Sequence, residues 1–361
     1  MPDKTITILN DIPIYAGIGQ YNRDLIELLL SNGYKVKNVS YNSYVFDHPN
    51  LSNVRLQRPF ERFKFSQNLI TFTNSNFAQF KHFLTPPSII ASQSLVPLGA
   101  GINEVAIVVH DINQLHLLGY DLISAGLTVM KYHFLAKYKH IVAVSKFVKQ
   151  DLVNHFRVDE GSISVLYEWI DISKIKILKL SERKINSKSV YLIHVGNDQP
   201  NKKVDLVYRV MMRLPSSYKL IRVGSNSMRN LRFLKRNNLL ERVQLYQGIS
   251  KEKLEDLYNS ANIFLYPSTY EGFGRPLLEA MAHGLPVVYR NSSSLPEVAG
   301  NAGIAFDDDN EDLIAEMIQN VAEQNNYSQL CKKSIERSKS FDISNLGSLI
   351  LKTFDALFES Q

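Results

Sequence analysis

The stretch IFLYPSTYEGFGRPLLEAMAHGLPV, residues 263–287, predicts a strand, a glycine loop and a helix in direct succession. The apolar run IFLY ends at Pro267, and proline cannot donate to a strand ladder. Gly272 and Gly274 allow the backbone to approach a ligand closely. Pro276 suits the first position of a helix. The stretch therefore predicts an α/β fold with a ligand site where this strand passes into its helix.

Two glutamates flank the glycine loop. Glu279 lies about one turn into the predicted helix, and helical side chains lean toward the N-terminus, so we expect its carboxylate to reach the same crevice as that of Glu271. Ionised carboxylates only accept hydrogen bonds, and two of them can grip the vicinal hydroxyls of a sugar or a ribose. The plainer alternative is an ordinary helix start whose carboxylates bind nothing.

The same alternation of strand and helix extends along the chain. Strand-like runs cover 5–9, 34–39, 105–109 and 140–144 in the first half, and 189–196, 218–224, 243–246, 263–266 and 286–289 in the second. This pattern predicts two Rossmann-like, doubly wound domains with parallel sheets. We expect an N-terminal domain over 1–170, a linker over 171–188, a C-terminal domain over 189–340, and a helix over 341–361 that is able to return to the N-terminal domain.

Composition narrows the classes of partner and compartment. The 361 residues are 45% apolar, which is enough for two cores, and Lys+Arg minus Asp+Glu is 41 − 35 = +6. No nucleic-acid recognition module is apparent, so we expect no nucleic-acid partner. The single Cys331 excludes an internal disulfide and predicts a reducing compartment. Asp3 and Asp11 interrupt any signal sequence, and no apolar run approaches about 18 residues, so a cytoplasmic location is expected.

The spacing of the two glutamates resembles a known signature. In glycosyltransferase family 4, a large family with the GT-B fold, a Glu is followed after seven residues by a second Glu, as Glu271 is by Glu279. The resemblance continues through NSSSLPEVAG, residues 291–300. It implies a retaining transfer of a hexose from a nucleotide-diphosphate sugar. It also implies two domains that face each other across a cleft, with the donor nucleotide bound by 189–340 and the acceptor on the side of 1–170.

Residue roles follow from the resemblance. It implies that Glu271 and the backbone amides of Gly272, Phe273 and Gly274 hold the donor hexose, and that Glu279 holds the ribose. The donor is then GDP-mannose or a UDP-hexose, with no metal or other cofactor. Residues 294–303 are most similar to mannosyltransferase members, which favours mannose.

The segment HVGNDQPNKKVD, residues 194–205, follows a predicted strand and precedes a predicted helix. Lys202 fits the family's lysine, which stabilises the departing diphosphate. Asn197, itself a candidate donor contact, stands where the family has an arginine, so one phosphate clamp is missing, and Arg222 or Lys203 are candidates to replace it. Without the resemblance, Lys202 and Lys203 read as a solvated pair.

Three further positions are candidate site residues, with His110 as a catalytic residue and Gly17 and Glu297 as donor contacts. Gly17 lies in a glycine loop after the first strand, where the family places the donor phosphates, although a plain tight turn explains it as well. His110 follows a strand end, where family members carry a His against the donor sugar or the acceptor; its alternative is a structural histidine. Glu297 is expected opposite the nucleotide phosphates or, equally, as a helix cap. Glu168 stands where many members have an Asn.

Basic and aromatic residues alternate in two segments of the N-terminal half, 55–65 and 130–140. Such faces can rest on anionic lipid headgroups, which favours peripheral membrane contact and a lipid-linked acceptor. The alternative is that the aromatic side chains lie in the core and the lysines are solvated.

The residues favour electrostatic catalysis, since no nucleophilic triad and no His/Cys cluster with metal spacing is apparent. Two other classes of function stay open. One is another GT-B activity on a sugar nucleotide, an epimerase or a phosphorylase. The other is a sugar-nucleotide-binding subunit that has lost catalysis, which the missing arginine at Asn197 favours and which Lys202 and the two glutamates oppose.

Overall fold

The computed structural model describes residues 5–10, 17–40, 45–56, 88–91, 105–112, 132–178, 180, 182–183, 185–186 and 189–359. The chain divides into two compact units. The first comprises Met1–Glu168 together with Gly347–Gln361, and the second comprises Trp169–Leu346.

The first unit is built on a parallel sheet. Its strands are β1 Thr5–Asn10, β2 Lys35–Ser40, β3 Leu51–Arg55, β4 Ser88–Ile90, β5 Val105–Val109, β6 His140–Ala143 and β7 Ile163–Val165. They lie in the order β3-β2-β1-β4-β5-β6-β7. Every residue of β5 is buried, as expected for a strand of a parallel sheet that is covered on both faces.

The second unit repeats the architecture. Its strands are β8 Val190–Val195, β9 Tyr218–Val223, β10 Val243–Tyr246, β11 Ile263–Tyr266, β12 Val287–Arg290 and β13 Gly303–Phe306. All neighbours pair in parallel, in the order β10-β9-β8-β11-β12-β13. The prediction of two doubly wound α/β units is therefore confirmed. The short strands β3, β4, β7 and β13 were not predicted, because runs of three to five residues carry little periodicity.

The described α-helices begin and end as follows: α1 Gly17–Ser31, α2 Lys146–Phe156, α3 Val204–Arg213, α4 Met228–Arg236, α5 Lys251–Ser260, α6 Arg275–Ala282, α7 Leu295–Ala299, α8 Glu311–Ala322, α9 Gln324–Lys339 and α10 Ile343–Glu359. Ser145 caps α2, since its Oγ accepts from the Val148 N–H at 3.0 Å. Pro276 is the second residue of α6 rather than its first, because the helix already begins at Arg275.

Strand order places the candidate site of the second unit. The chain runs outward from β8 to β10, then returns to pair β11 with β8, so the order reverses between β8 and β11. In open parallel sheets, ligands bind at the carboxyl ends of the strands at such a reversal. Lys202 follows β8 and Glu271 follows β11, so both belong to the loops that leave this point.

The two tyrosines of one basic segment lie in the core. Tyr132 and Tyr138 are buried, and neither can rest on a lipid surface. Lys137 is exposed and lies over the ring of Phe134, 4.7 Å from its centroid. Residues 57–65 and 130–131 of the two basic segments lie outside the described residues. Among the helices that the structure describes, none is long and apolar enough to cross a bilayer.

Candidate functional site

The backbone of Glu271 is held by the serines that follow β12. Its N–H donates to Ser293 Oγ at 3.0 Å, and its carbonyl accepts from Ser294 Oγ at 2.9 Å. Ser293 has a φ of 52°, a left-handed conformation that costs energy in a non-glycine residue. This turn places the Ser293 hydroxyl against the backbone of Glu271. The position of Glu271 therefore depends on the SSS run at 292–294.

A second set of hydrogen bonds ties the loop after β8 to the loop after β11. Asn201 Nδ2 donates to the Tyr270 carbonyl at 3.0 Å, and the Thr269 N–H donates to the Asn201 carbonyl at 2.8 Å. Ser268 Oγ also donates to the Asn201 carbonyl, at 3.1 Å. The residue that follows, Lys202, is thereby placed beside Glu271.

Lys202 and Glu271 form a close ion pair. Lys202 Nζ lies 2.6 Å from Glu271 Oε1, and the two side chains are only 15% and 11% exposed. Tyr266, at the end of β11, donates from its hydroxyl to the same oxygen at 2.8 Å and accepts from Lys202 Nζ at 3.3 Å. The sequence-predicted cation and sugar-binding carboxylate are thus brought together in a partly desolvated place, where charges act strongly.

Glu279 projects from the first turns of α6, and 27% of its side chain is exposed. Tyr258 donates to Glu279 Oε2 at 3.2 Å, and Arg275, four residues earlier on the helix, donates to Oε1 at 3.3 Å. Burial raises the pKa of Glu279, and Arg275 and Tyr258 partly oppose this. Burial, followed by the charge of Glu271 and more weakly that of Glu279, raises the pKa of Tyr266, so all three residues share one local electrostatic environment.

The glycine loop passes directly into α6. Gly274 has a φ of 95°, and a Cβ there would lie 2.7 Å from Leu295 Cδ2, so only glycine fits without displacing that side chain. Gly272 and Phe273 are buried, and the Phe273 ring packs edge-on against Phe341 with centroids 5.5 Å apart. The ring of Phe273 therefore belongs to the core, and a contact of its backbone amide with a donor stays a prediction.

Arg222 and Lys203 are the two cations that the sequence offers as replacements for the missing arginine. Asn197 is exposed. Arg222 is fully buried and donates to the carbonyls of Gly196 at 2.6 Å and Ser225 at 2.7 Å, so its guanidinium closes two loops. Lys203 lies 2.9 Å from Asp309, in an ion pair with a third of each side chain exposed. Both cations are therefore already engaged by acceptors of this chain.

His194 adds a neutral ring next to Lys202. Burial, followed by the charges of Arg222 and Lys202, lowers the pKa of His194 well below its ordinary value, so this imidazole stays uncharged at neutral pH. Glu297 lies in the first turn of α7, half-buried, and its backbone carbonyl accepts from Arg337. Contact of Glu297 with a nucleotide stays a prediction.

Two predicted site residues lie in the first unit. His110 is buried at the end of β5, with Nδ1 3.3 Å from Glu168 Oε1 and Nε2 3.1 Å from the Ala91 carbonyl. Its ring packs edge-on against Tyr21, with centroids 4.7 Å apart. Gly17 is the exposed first residue of α1 and has open space where a Cβ would stand. Both ring nitrogens of His110 therefore face protein acceptors.

Sequence reasoning missed Tyr266, Tyr258, Arg275 and Ser293. A tyrosine within an apolar strand reads as core, although Tyr266 is the last residue of its strand and hence at the ligand edge. Arg275 was open to prediction, since it stands four residues before Glu279 on a helix. Among the described residues, no group of three or more His, Cys, Asp or Glu side chains is arranged to hold a metal ion.

Two family models together cover most of the chain. The model described as Glycosyltransferase Family 4 matches residues 15–174, and the one described as Glycosyl transferases group 1 matches residues 177–341. The second match contains Lys202, Glu271 and Glu279.

The chain is similar to enzymes named as mannosyltransferases. It is 26% identical over 232 residues to the O-antigen chain mannosyltransferase B of Escherichia coli, covering 61% of each chain. It is 29% identical over 186 residues to the O-antigen chain mannosyltransferase RfbU of Salmonella typhimurium, covering 51% of each. The chain thus spans about half to three fifths of the length of the relatives it matches.

Solved structures share the fold over the whole chain. Sucrose-phosphate synthase from Thermosynechococcus elongatus superposes with a TM-score of 0.82 at 16% identity, covering 99% of this chain and 100% of that one. HepE from Anabaena, solved in complex with UDP and glucose, gives a TM-score of 0.76 at 14% identity, covering 98% and 100%. These likenesses support the same two-domain α/β fold.

Proposed function

We propose that this chain, which belongs to glycosyltransferase family 4, transfers a hexose from a nucleotide-diphosphate sugar to a glycan or lipid-linked acceptor. The second unit is the donor-binding domain in this proposal, and the first unit provides the acceptor side. Mannose is the favoured hexose, because the relatives named above are mannosyltransferases.

One observation carries the proposal: the Lys202–Glu271 pair at the reversal of strand order. Lys202 supplies a cation and Glu271 an acceptor within 2.6 Å of each other, next to the loop of Gly272 and Gly274. A nucleotide-diphosphate sugar presents a dianionic diphosphate and a ring of hydroxyls in direct succession. The site has the matching charge and hydrogen-bonding groups in the same succession.

The reaction we propose needs stabilisation of charge more than covalent chemistry. As the bond between the anomeric carbon and the diphosphate oxygen breaks, negative charge builds on the diphosphate and positive charge on the sugar ring. Lys202 stabilises the departing diphosphate, and Glu271 orients the hexose by accepting from its hydroxyls. The acceptor hydroxyl attacks from the face of the leaving group, and its proton passes to the departing diphosphate oxygen. The anomeric configuration is thereby retained.

Donor and acceptor identities are the finer part of the proposal. GDP-mannose is the first donor to test and a UDP-hexose the second, with Glu279 as the ribose contact. We propose no metal cofactor, because Lys202 and the backbone dipoles supply the positive charge. A lipid-linked acceptor would place the enzyme at the cytoplasmic face of a membrane. The exposed basic residues around Phe134 are the described candidates for that contact.

A binding subunit without catalysis is the second candidate, and the exposed Asn197 favours it. Such a subunit would bind a sugar nucleotide yet transfer nothing. An epimerase or a phosphorylase would instead release an epimer, or a sugar phosphate in the presence of inorganic phosphate, without any acceptor. Product analysis separates these outcomes.

The test begins with a thermal-shift panel of GDP, UDP, GDP-mannose, UDP-glucose and UDP-galactose. A ligand at about 100 times its Kd stabilises the folded state by about 2.7 kcal/mol, which is readily seen as a rise in melting temperature. The stabilising donor is then incubated, with the sugar radiolabelled, with alkyl mannosides and alkyl glucosides as acceptors. We expect an α-linked product from an α-linked donor, and none from Glu271→Ala. Donor binding without any transferred label would contradict the proposal.

A further inference from the structure

Tyr266 closes a triangle with the two residues on which the proposed function rests. Its hydroxyl, Lys202 Nζ and Glu271 Oε1 are 2.6, 2.8 and 3.3 Å apart pairwise. Both Lys202 and Tyr266 donate to the same carboxylate oxygen. The other oxygen of Glu271, Oε2, has no hydrogen bond to any residue that the structure describes, and it is therefore the one open to a sugar hydroxyl.

The direction of the tyrosine hydrogen bond is fixed by its surroundings. A phenol has a single proton, and Lys202 Nζ, which can only donate, faces its lone pair. The proton must therefore point to Glu271. Burial, followed by the neighbouring charge of Glu271, raises the pKa of Tyr266 well above its ordinary value, so the hydroxyl keeps this proton at any pH at which the protein works.

Donor binding changes the balance of this triangle. Lys202 must direct at least one N–H toward the diphosphate. The attraction between its ammonium and the Glu271 carboxylate is thereby weakened. A carboxylate with 11% exposure cannot recover the loss from solvent. Among the side chains that the structure describes, the hydroxyl of Tyr266 is then the remaining donor to Glu271 Oε1.

We propose that Tyr266 is a positioning residue that keeps Glu271 hydrogen-bonded and in place while Lys202 turns from Glu271 to the donor diphosphate. This inference rests on the proposed function. In the empty site, both Lys202 and Tyr266 pair with Glu271. In the filled site, the pairing of Tyr266 with Glu271 remains.

A purely structural role for Tyr266 makes a different prediction. Its ring packs against Phe264, with centroids 5.2 Å apart, and lies 6.2 Å from His194. Phenylalanine would preserve this packing, so a structural role predicts a silent Tyr266→Phe substitution. Tyr218→Phe is the matched control, because Tyr218 is a buried tyrosine at the amino end of β9 in the same sheet, opposite to the loops.

The experiment measures kcat with the sugar nucleotide and the inhibition constant Ki of the free nucleoside diphosphate. We expect Tyr266→Phe to lower kcat about 10- to 100-fold, the worth of one hydrogen bond to a charged group. Ki should change less than about threefold, because Lys202 keeps its other N–H groups for the diphosphate. Tyr218→Phe should match the wild type in both. A Tyr266→Phe enzyme with kcat within about twofold of wild type would overturn the inference, and so would a fall in kcat that merely follows a fall in melting temperature.

A double substitution tests whether Tyr266 acts through Glu271. If it does, Tyr266→Phe should cost little once Glu271→Gln is present, because coupled residues are not additive. Full additivity of the two losses would overturn the inference and leave the proposed function standing. A wild-type protein that transfers no sugar from any donor of the panel would overturn the proposed function, and this inference with it.

Discussion

Replacing Lys202 by alanine probes the charge that the proposed reaction needs most. The side chain is 15% exposed and lies 2.6 Å from Glu271, so its ammonium acts in a partly desolvated site. Loss of one such preorganised group at a developing oxyanion costs about 2–4 kcal/mol of transition-state stabilisation, which is about 30- to 1000-fold in kcat/KM. The variant also leaves the Glu271 carboxylate with Tyr266 as its remaining described donor, at a cost of about 1–3 kcal/mol in folding stability.

Lys203→Ala is the matched control, since Lys203 is the next residue and pairs with Asp309, with 32% and 38% of the two side chains exposed. Such exposed pairs contribute about 0–1 kcal/mol, so this variant should keep near-normal stability and transfer. The assay is initial-rate transfer of radiolabelled hexose, at substrate concentrations that give kcat/KM. A Lys202→Ala enzyme with kcat/KM within about threefold of wild type, or equal losses in the two variants, would refute the role of Lys202.

Two further predictions concern stability. Burial raises the pKa of the Glu279 carboxyl, so between the ordinary pKa of a glutamate and the raised pKa the folded protein holds a proton that the unfolded chain has released. The free energy of unfolding of the wild type therefore falls as pH rises through this window. Glu279→Gln does not titrate, so urea unfolding at about pH 4 and about pH 7 should show it gaining on wild type at the higher pH; the reverse trend would contradict the assignment. A Cβ at Gly224 would lie 1.8 Å from the Gly196 carbonyl oxygen, so Gly224→Ala should cost about 3 kcal/mol or more. Gly248→Ala, at a φ of 64° with nothing within 4 Å of its Cβ, should cost about 1–2 kcal/mol, and equal losses would show that the clash is relieved.

The fold was predictable because its central strands are buried on both faces. Runs such as VAIVV at 105–109 and IFLY at 263–266 are continuously apolar, and the loops and helices between them are long enough for parallel crossovers. The three-residue strands Ser88–Ile90 and Ile163–Val165 escaped prediction, because their pairing depends on neighbours already in place. Tertiary context decides such elements.

The residues of the glycine loop were predictable from the sequence, and the residues that hold this loop in place were not. Glycines and a proline between a strand and a helix, with Glu271 and Glu279 on either side, carry their chemistry in the residue types themselves. Tyr266 acts through its contact with Lys202, and Ser293 through its contact with Glu271. In both cases the partner is far away in the chain. A tyrosine in an apolar run and a serine in a serine run carry no local sequence signal for such a role. Arg222 was a candidate phosphate clamp because of its charge, but its guanidinium donates to the loop carbonyls of Gly196 and Ser225.

A crystal structure with the stabilising sugar nucleotide bound would show whether Lys202, Glu271 and Glu279 hold the donor. We predict that Lys202 Nζ donates to a diphosphate oxygen, that a hexose hydroxyl lies on Glu271, and that the ribose lies on Glu279. A nucleotide bound away from α6, with Lys202 and Glu271 still paired to each other and no sugar density beside them, would contradict the account.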